Sequence, residues 1–148
     1  FRLTANGANG VAQVTAILTG NSVTLSDILI DNPVDPGNQH WIGIYLNGGT
    51  GNVVDGCTVE DVTITGAGFD AYAVSMAVAT TAPVITGLMM RRVTTAGDIS
   101  AVNAPGPVAG GYVTITDSTA HTLSAGILGY TFSLWKRSGI LRNLLVYG

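Results

Sequence analysis

The sequence predicts an all-β fold, a parallel β-helix of about five coils, and three observations predict it. A bent-strand phrase, Gly56-Cys-Thr-Val-Glu-Asp-Val-Thr-Ile-Thr-Gly66, returns along the chain. No long segment carries apolar residues at i, i+3, i+4 and i+7, which leaves no amphipathic helix. The composition, with 20 glycines and many Val, Thr, Ile and Ala, favours strands and tight turns.

In the bent-strand phrase Val59, Val62 and Ile64 alternate as on a strand, but Glu60-Asp61 add an extra residue that shifts the register. It reads as two strand pieces joined at a bend, with Asp61 at the corner. Gly87–Gly97 matches it position for position, and Ser22–Asn32 matches it upstream, Tyr112–Thr122 and Ser138–Gly148 downstream. Stacked this way, one column reads Asp27, Asp61, Arg92, Asp117, Asn143. A second reads Leu25, Val59, Met90, Ile115, Leu141, and a third Ile28, Val62, Val93, Ser118, Leu144. The spacing of roughly 25–34 residues is typical of stacked supersecondary units.

Phe1 to Gly10 forms a lead-in segment ending in the turn signal Asn-Gly-Ala-Asn-Gly, and residues 11–148 form the β-helix domain. Coil one holds a strand over Val11–Leu18, a turn at Thr19–Asn21 and a bent strand over Val23–Ile30. The two prolines and the glycine of Asp31–Gln39 exclude a central strand there. Coil two opens with Trp41–Leu46, its Ile42, Ile44 and Leu46 inward, turns at Asn47–Asn52 and resumes at Val53. Coil three repeats the plan with Tyr72–Val78, a turn at Ala79–Ala82, Pro83–Ile85 and the bent strand. Coil four, Ile99 to about His121, is shorter and carries Pro105-Gly-Pro107 in its turn. Coil five runs from Thr122 through a strand over Gly126–Leu134 and the charged turn Trp135–Ser138 to the last bent strand. One coil cannot bury its apolar column alone; stacking coils about 4.8 Å apart pairs the backbone and makes a continuous core.

The 148 residues allow one domain with a sizeable core. Only 10% of them are charged, well below the usual quarter, so part of the surface is expected to lie against other chains, as in a homotrimer. A net charge of −3 with six scattered Lys and Arg provides no basic patch for nucleic acid. No apolar run approaches the roughly 20 residues that span a bilayer, so membrane insertion is not expected. Cys57 stands alone, without disulfide framework or cysteine metal site, and reads as a small core residue. No cofactor is implied. The chain starts at Phe1 without a signal-peptide pattern and stops where the closing Gly of the phrase falls, which reads as a piece of a longer or processed protein.

The stretch Ile42-Gly-Ile-Tyr-Leu-Asn-Gly-Gly-Thr-Gly-Asn-Val-Val-Asp-Gly-Cys-Thr-Val-Glu-Asp-Val-Thr-Ile64 resembles a coil of the pectin-lyase-like superfamily. That resemblance covers about Val11 to Gly148, with coil four the weakest match, and it implies a right-handed parallel β-helix. The superfamily contains polysaccharide lyases and hydrolases, adhesins, and bacteriophage tailspikes and tail fibres, so its fold does not set its function. The high apolarity and the absence of disulfides look most like a piece of a trimeric phage tailspike or fibre shaft. The resemblance therefore implies a structural and receptor-recognition segment of a virion tail, or an extracellular one, that presents a rigid surface to host surface polysaccharide. A polysaccharide-degrading enzyme is the alternative, and a bacterial adhesin segment a third.

Two residue sets carry the candidate chemistry. The corner column Asp27, Asp61, Arg92, Asp117 and Asn143 reads as structural, because Asp and Asn cap bends whose backbone groups lack partners. Arg92 between Asp61 and Asp117, and Glu60 beside Arg91, predict a stack of alternating charge. The catalytic candidates Asp35, Asp70 and Asp98 lie in loops of three successive coils, where coil spacing would place neighbours roughly 5–10 Å apart, the range of glycosidase carboxylate pairs. Trp41, Phe69 and Tyr72 lie nearby, and with Trp135 they are the candidate sugar-stacking rings. Trp135-Lys-Arg137 reads as a solvated turn, with contact to an anionic glycan the less favoured reading. His40 and His121 read as polar loop residues with no metal spacing between them.

Overall fold

A computed structural model describes residues 2–4, 12–32, 39–95, 97–105, 112–122, 132–134 and 137–147. Strand β1 (Arg2–Thr4) precedes a first turn of β2 (Ala12–Leu18), β3 (Thr24–Ser26) and β4 (Leu29–Asn32). The second holds β5 (His40–Leu46), β6 (Val53–Asp55) and β7 (Thr58–Ile64), and the third β8 (Ala71–Met76), β9 (Val84–Thr86) and β10 (Met89–Thr95). The fourth holds β11 (Ile99–Asn103), β12 (Tyr112–Thr116) and β13 (Thr119–Thr122). At the far end lie β14 (Phe132–Ser133), β15 (Ser138–Arg142) and β16 (Leu145–Tyr147). The described residues contain no helix.

Each strand pairs in parallel with the third strand after it, so the chain winds as a β-solenoid with three sheets for walls. The first sheet has the order β1-β4-β7-β10-β13-β16, the second β14-β11-β8-β5-β2, and the third β15-β12-β9-β6-β3. The all-β parallel β-helix expected from the repeat is what the chain forms, with four full turns between β2 and β13 and β14, β15 and β16 beyond them.

The core is a set of vertical columns, one residue per turn. In the third sheet Leu25, Val54, Ile85, Ile115 and Leu141 are register partners, and in the first sheet Ile30, Val59, Met90, Ala120 and Val146 are. In the second sheet Trp41, Ala71 and Ile99 form one column and Ile44, Val74 and Val102 another. Fully burying a side chain of this size contributes about 1.5–3 kcal/mol. Cys57 is fully buried among them, and burial pushes its thiol pKa up, so it stays protonated and behaves as a small apolar residue.

Two expectations about register need correction. First, Trp41, Ile44 and Leu46 are the fully buried large residues of β5, whereas Ile42 is only half-buried. The alternation slips at Gly43, where a Cβ would lie 2.7 Å from the carbonyl oxygen of Ala73. The second sheet comes so close there that it takes Gly43, Ala73 and Ala101 in successive turns, and the larger residues fall on either side.

Second, the single corner column divides into two. Asp27, Asp117 and Asn143 do share a column, but its members in the second and third turns are Gly56 and Gly87, all five with φ between 51° and 60°. The N–H of Asp27 bonds to the carbonyl of Asp55, that of Gly56 to Thr86, that of Gly87 to Thr116 and that of Asp117 to Arg142. Asp61 and Arg92, at φ 55° and 52°, lie five residues further on, inside the first sheet. There Asp31 faces Glu60 and Asn32 faces Val62, so Asp61 is the extra residue of a bulge, and Arg92 repeats it in the next turn. All five residues stand at left-handed bends, as residues with short polar side chains tolerate best; Arg92 is the exception in type. The apolar columns divide in the same way, because Val59 and Met90 pair with Ile30, not with Leu25.

Candidate functional site

The corner between the first and second sheets carries the polar cluster. His40, Asp70 and Asp98 each stand one residue before Trp41, Ala71 and Ile99, which are register partners, so the three stack in successive turns. The backbone ties them: the Trp41 N–H donates to the Asp70 carbonyl at 2.9 Å, and the Ala71 N–H to the Asp98 carbonyl at 2.9 Å. The structure thus brings Asp70 and Asp98 together in neighbouring turns, while Asp35 lies outside the described residues.

The two carboxylates differ in what holds them. Asp70 Oδ1 accepts the N–H of Asp98 at 2.8 Å, and its Oδ2 accepts the Tyr72 hydroxyl at 2.7 Å. The Asp70 N–H in turn donates to His40 Nδ1 at 3.0 Å, which assigns the proton of neutral His40 to Nε2. His40 Nδ1 also lies 3.3 Å from Asp70 Oδ2, so the imidazole edge is held against both the backbone and the carboxylate of Asp70. The His40 ring meets Phe69 edge-on, with centroids 5.3 Å apart. Burial, helped by the Asp70 hydrogen bond and the charges of Asp70 and Asp98, pushes the Tyr72 hydroxyl pKa far above its ordinary value. Tyr72 is therefore held as a phenol that donates to Asp70. Asp98 is half-buried, and among the described residues no hydrogen bond engages its carboxylate.

Asp98 instead faces a cleft of about 620 Å³, lined by Tyr72, Ser100, Asn103, Phe132 and Ser133 among others. Tyr72 and Ser100 are register partners, as are Asn103 and Ser133, so the polar lining belongs to successive strands of one sheet. Phe132 lines the cleft while continuing the column of Ile44, Val74 and Val102 at the end of the stack.

The other sequence-predicted residues are distributed as follows. Trp41 is completely buried in the core beside Gly43, which removes it from the sugar-facing set; its ring fills the space that Gly43 leaves. Phe69 is half-buried at the corner, and Tyr72 reaches the cleft. Trp135 lies outside the described residues. Arg137 is not part of a solvated turn. It is buried, and its guanidinium donates to the carbonyls of Thr80 at 2.6 Å, Ala77 at 2.9 Å and Val78 at 3.1 Å, with Pro105 at 3.5 Å. Burial pushes its pKa down, and among the described residues no carboxylate pairs with it; carbonyl dipoles do.

The corner ladder carries charge as expected in part. Arg92 grips Asp61 with two hydrogen bonds of 2.6 and 2.9 Å and reaches Glu60 at 2.8 Å, and Arg91 also pairs with Glu60. Arg92 does not bridge to Asp117, which accepts from the Asn143 amide at 2.8 Å in its own column. Sequence reasoning set His40 aside and missed Ser100, Asn103 and Ser133. The usable signal for His40 was its place one residue before a second-sheet strand, the place that Asp70 and Asp98 share. No group of three or more His, Cys, Asp or Glu among the described residues is arranged to hold a metal ion.

No protein-family model matches the chain, no curated protein matches it, and no solved structure matches it.

Proposed function

We propose that this chain is a rigid recognition segment that presents the second-sheet cleft to a surface polysaccharide, as a tailspike or tail-fibre shaft would. The observation that carries the reading is the cleft itself. A phenol ring, a carboxylate with no hydrogen-bond partner among the described residues, an amide and the Ser133 hydroxyl converge on one concave surface over the buried Ser100, and aromatic faces with a few placed polar groups are what a saccharide site needs. The strand ladders supply rigidity, and repeated turns offer a row of similar positions to a repeating polymer. The tail setting and the trimer draw their support from the likeness of residues 42–64 to pectin-lyase-like coils and from the low share of charged residues.

Binding recognition is favoured over hydrolysis by the state of Asp70. Both its oxygens are engaged by the chain, so a carboxylate pair working on a substrate would first have to break the Tyr72 or Asp98 bond. The test is titration calorimetry against surface polysaccharides. Tyr72→Ala and Asp98→Ala are expected to weaken binding at least tenfold while the wild-type circular dichroism spectrum is retained. Unchanged affinity in both variants would remove the cleft from the reading.

A further inference from the structure

Resting on the recognition reading, we infer that the cleft selects glycans without acidic groups, neutral or amine-bearing, and discriminates against uronate-type polymers. The charge around it is one-sided. Asp98 lines the cleft, and Asp70 stands directly behind Tyr72. Among the described residues no cation lines it.

The cations of the described chain are committed elsewhere. Arg137 touches the cleft wall through the Pro105 carbonyl, but the two outer nitrogens of its guanidinium are engaged by the carbonyls of Ala77, Val78 and Thr80. Arg91 and Arg92 pair with Glu60 and Asp61 on the first sheet, and Arg2 pairs with Asp31. Arg142 belongs to β15 of the third sheet. His40 is turned to Asp70.

A sugar carboxylate entering the cleft would meet Asp98 as a like charge, with no cation among the described lining residues to receive it, a repulsion that grows as water is displaced. Hydroxyls suit the cleft instead, since Ser100, Ser133 and Asn103 can donate and accept, and Asp98 can accept from a hydroxyl or an ammonium. Tyr72, held as a neutral phenol, keeps an uncharged ring face toward the sugar.

The experiment compares three oligosaccharide series of equal length on the full chain: neutral glucose, glucosamine and galacturonate oligomers, at low and high salt. The neutral or amine series should bind at least about tenfold more tightly than the uronate series at low salt, and the gap should narrow at high salt. Asp98→Asn should narrow the gap as well. Asn103→Lys, which adds a cation to the lining, should raise uronate affinity, so the idea stays testable if Asp98→Asn folds poorly. Uronate binding as tight as neutral binding would overturn the selectivity while leaving recognition standing. Binding of none of the three series would remove the recognition reading, and the selectivity with it.

Discussion

Ile85 and Leu141 occupy the same inward column of the third sheet, yet Ile85 is fully buried and Leu141 is 46% exposed. The first sheet repeats the contrast: Val59 and Met90 are fully buried, and Val146 in their column is 50% exposed. The middle turns have a neighbour on both sides, whereas among the described residues β15 and β16 are paired on one side only, and every residue of both strands is exposed. Inward position and burial are therefore separate properties in a solenoid. The strand's own pattern sets the direction of a side chain, and the adjacent turn supplies the burial.

Three substitutions probe that contrast. Ile85→Ala should cost about 2–5 kcal/mol in urea unfolding, and Leu141→Ala less than about 1 kcal/mol. Equal costs would mean that the far layer is packed as tightly as the middle. Arg137 sharpens the comparison, because it immediately precedes the exposed strand β15 but is buried against carbonyls of the third turn. Arg137→Ala strands those carbonyls and should cost about 2–4 kcal/mol, with Arg137→Lys recovering part of it. A loss within the range of surface substitutions would show that the end layer is not anchored through this side chain.

The smallest effect concerns the exposed ladder of the middle turns. The Arg92 hydrogen bond holds the Asp61 carboxyl below its ordinary value of 3.8. A depressed folded-state pKa contributes stability that is fully present above the unfolded value and is lost as pH falls through the folded value. Wild type should therefore melt slightly above Asp61→Asn at neutral pH, with the gap closing as the pH drops below 3.8. High salt should shrink it too, since the pair is half-exposed. A gap that persists in acid would assign the effect to the left-handed backbone position and not to the ion pair.

The bends themselves were legible because most pair a residue at positive φ with an apolar one after it, and this cadence is visible in Ser26-Asp27-Ile28 and Asn143-Leu144 as in Asp61-Val62. Their alignment was not. The second and third turns carry the cadence twice, at Gly56-Cys57 and Asp61-Val62, then at Gly87-Leu88 and Arg92-Val93, and the two copies look alike from within one strand. The site divided similarly. Asp70, Asp98 and Tyr72 were readable as a polar and aromatic group recurring once per turn. The cleft-lining Ser100, Asn103 and Ser133 carry no local mark that separates them from other outward polar residues.

What the chain determined by itself was the class of its structure: short strands, positively twisted bends, one apolar residue per turn in each wall, and no helical period. These are local properties of two to seven residues, and sequence expresses them directly. What only the tertiary structure decided was which copy of a repeated cadence stacks on which, that Trp41 points into the core, that Arg137 turns inward, and that both oxygens of Asp70 are engaged while Asp98 lines the cleft. Apart from the local Tyr72–Asp70 bond, these depend on residues about thirty positions apart meeting across a turn, or on two turns meeting in the case of Arg137, and pairing between turns is a contest among near-equal local patterns that only the complete ladder resolves.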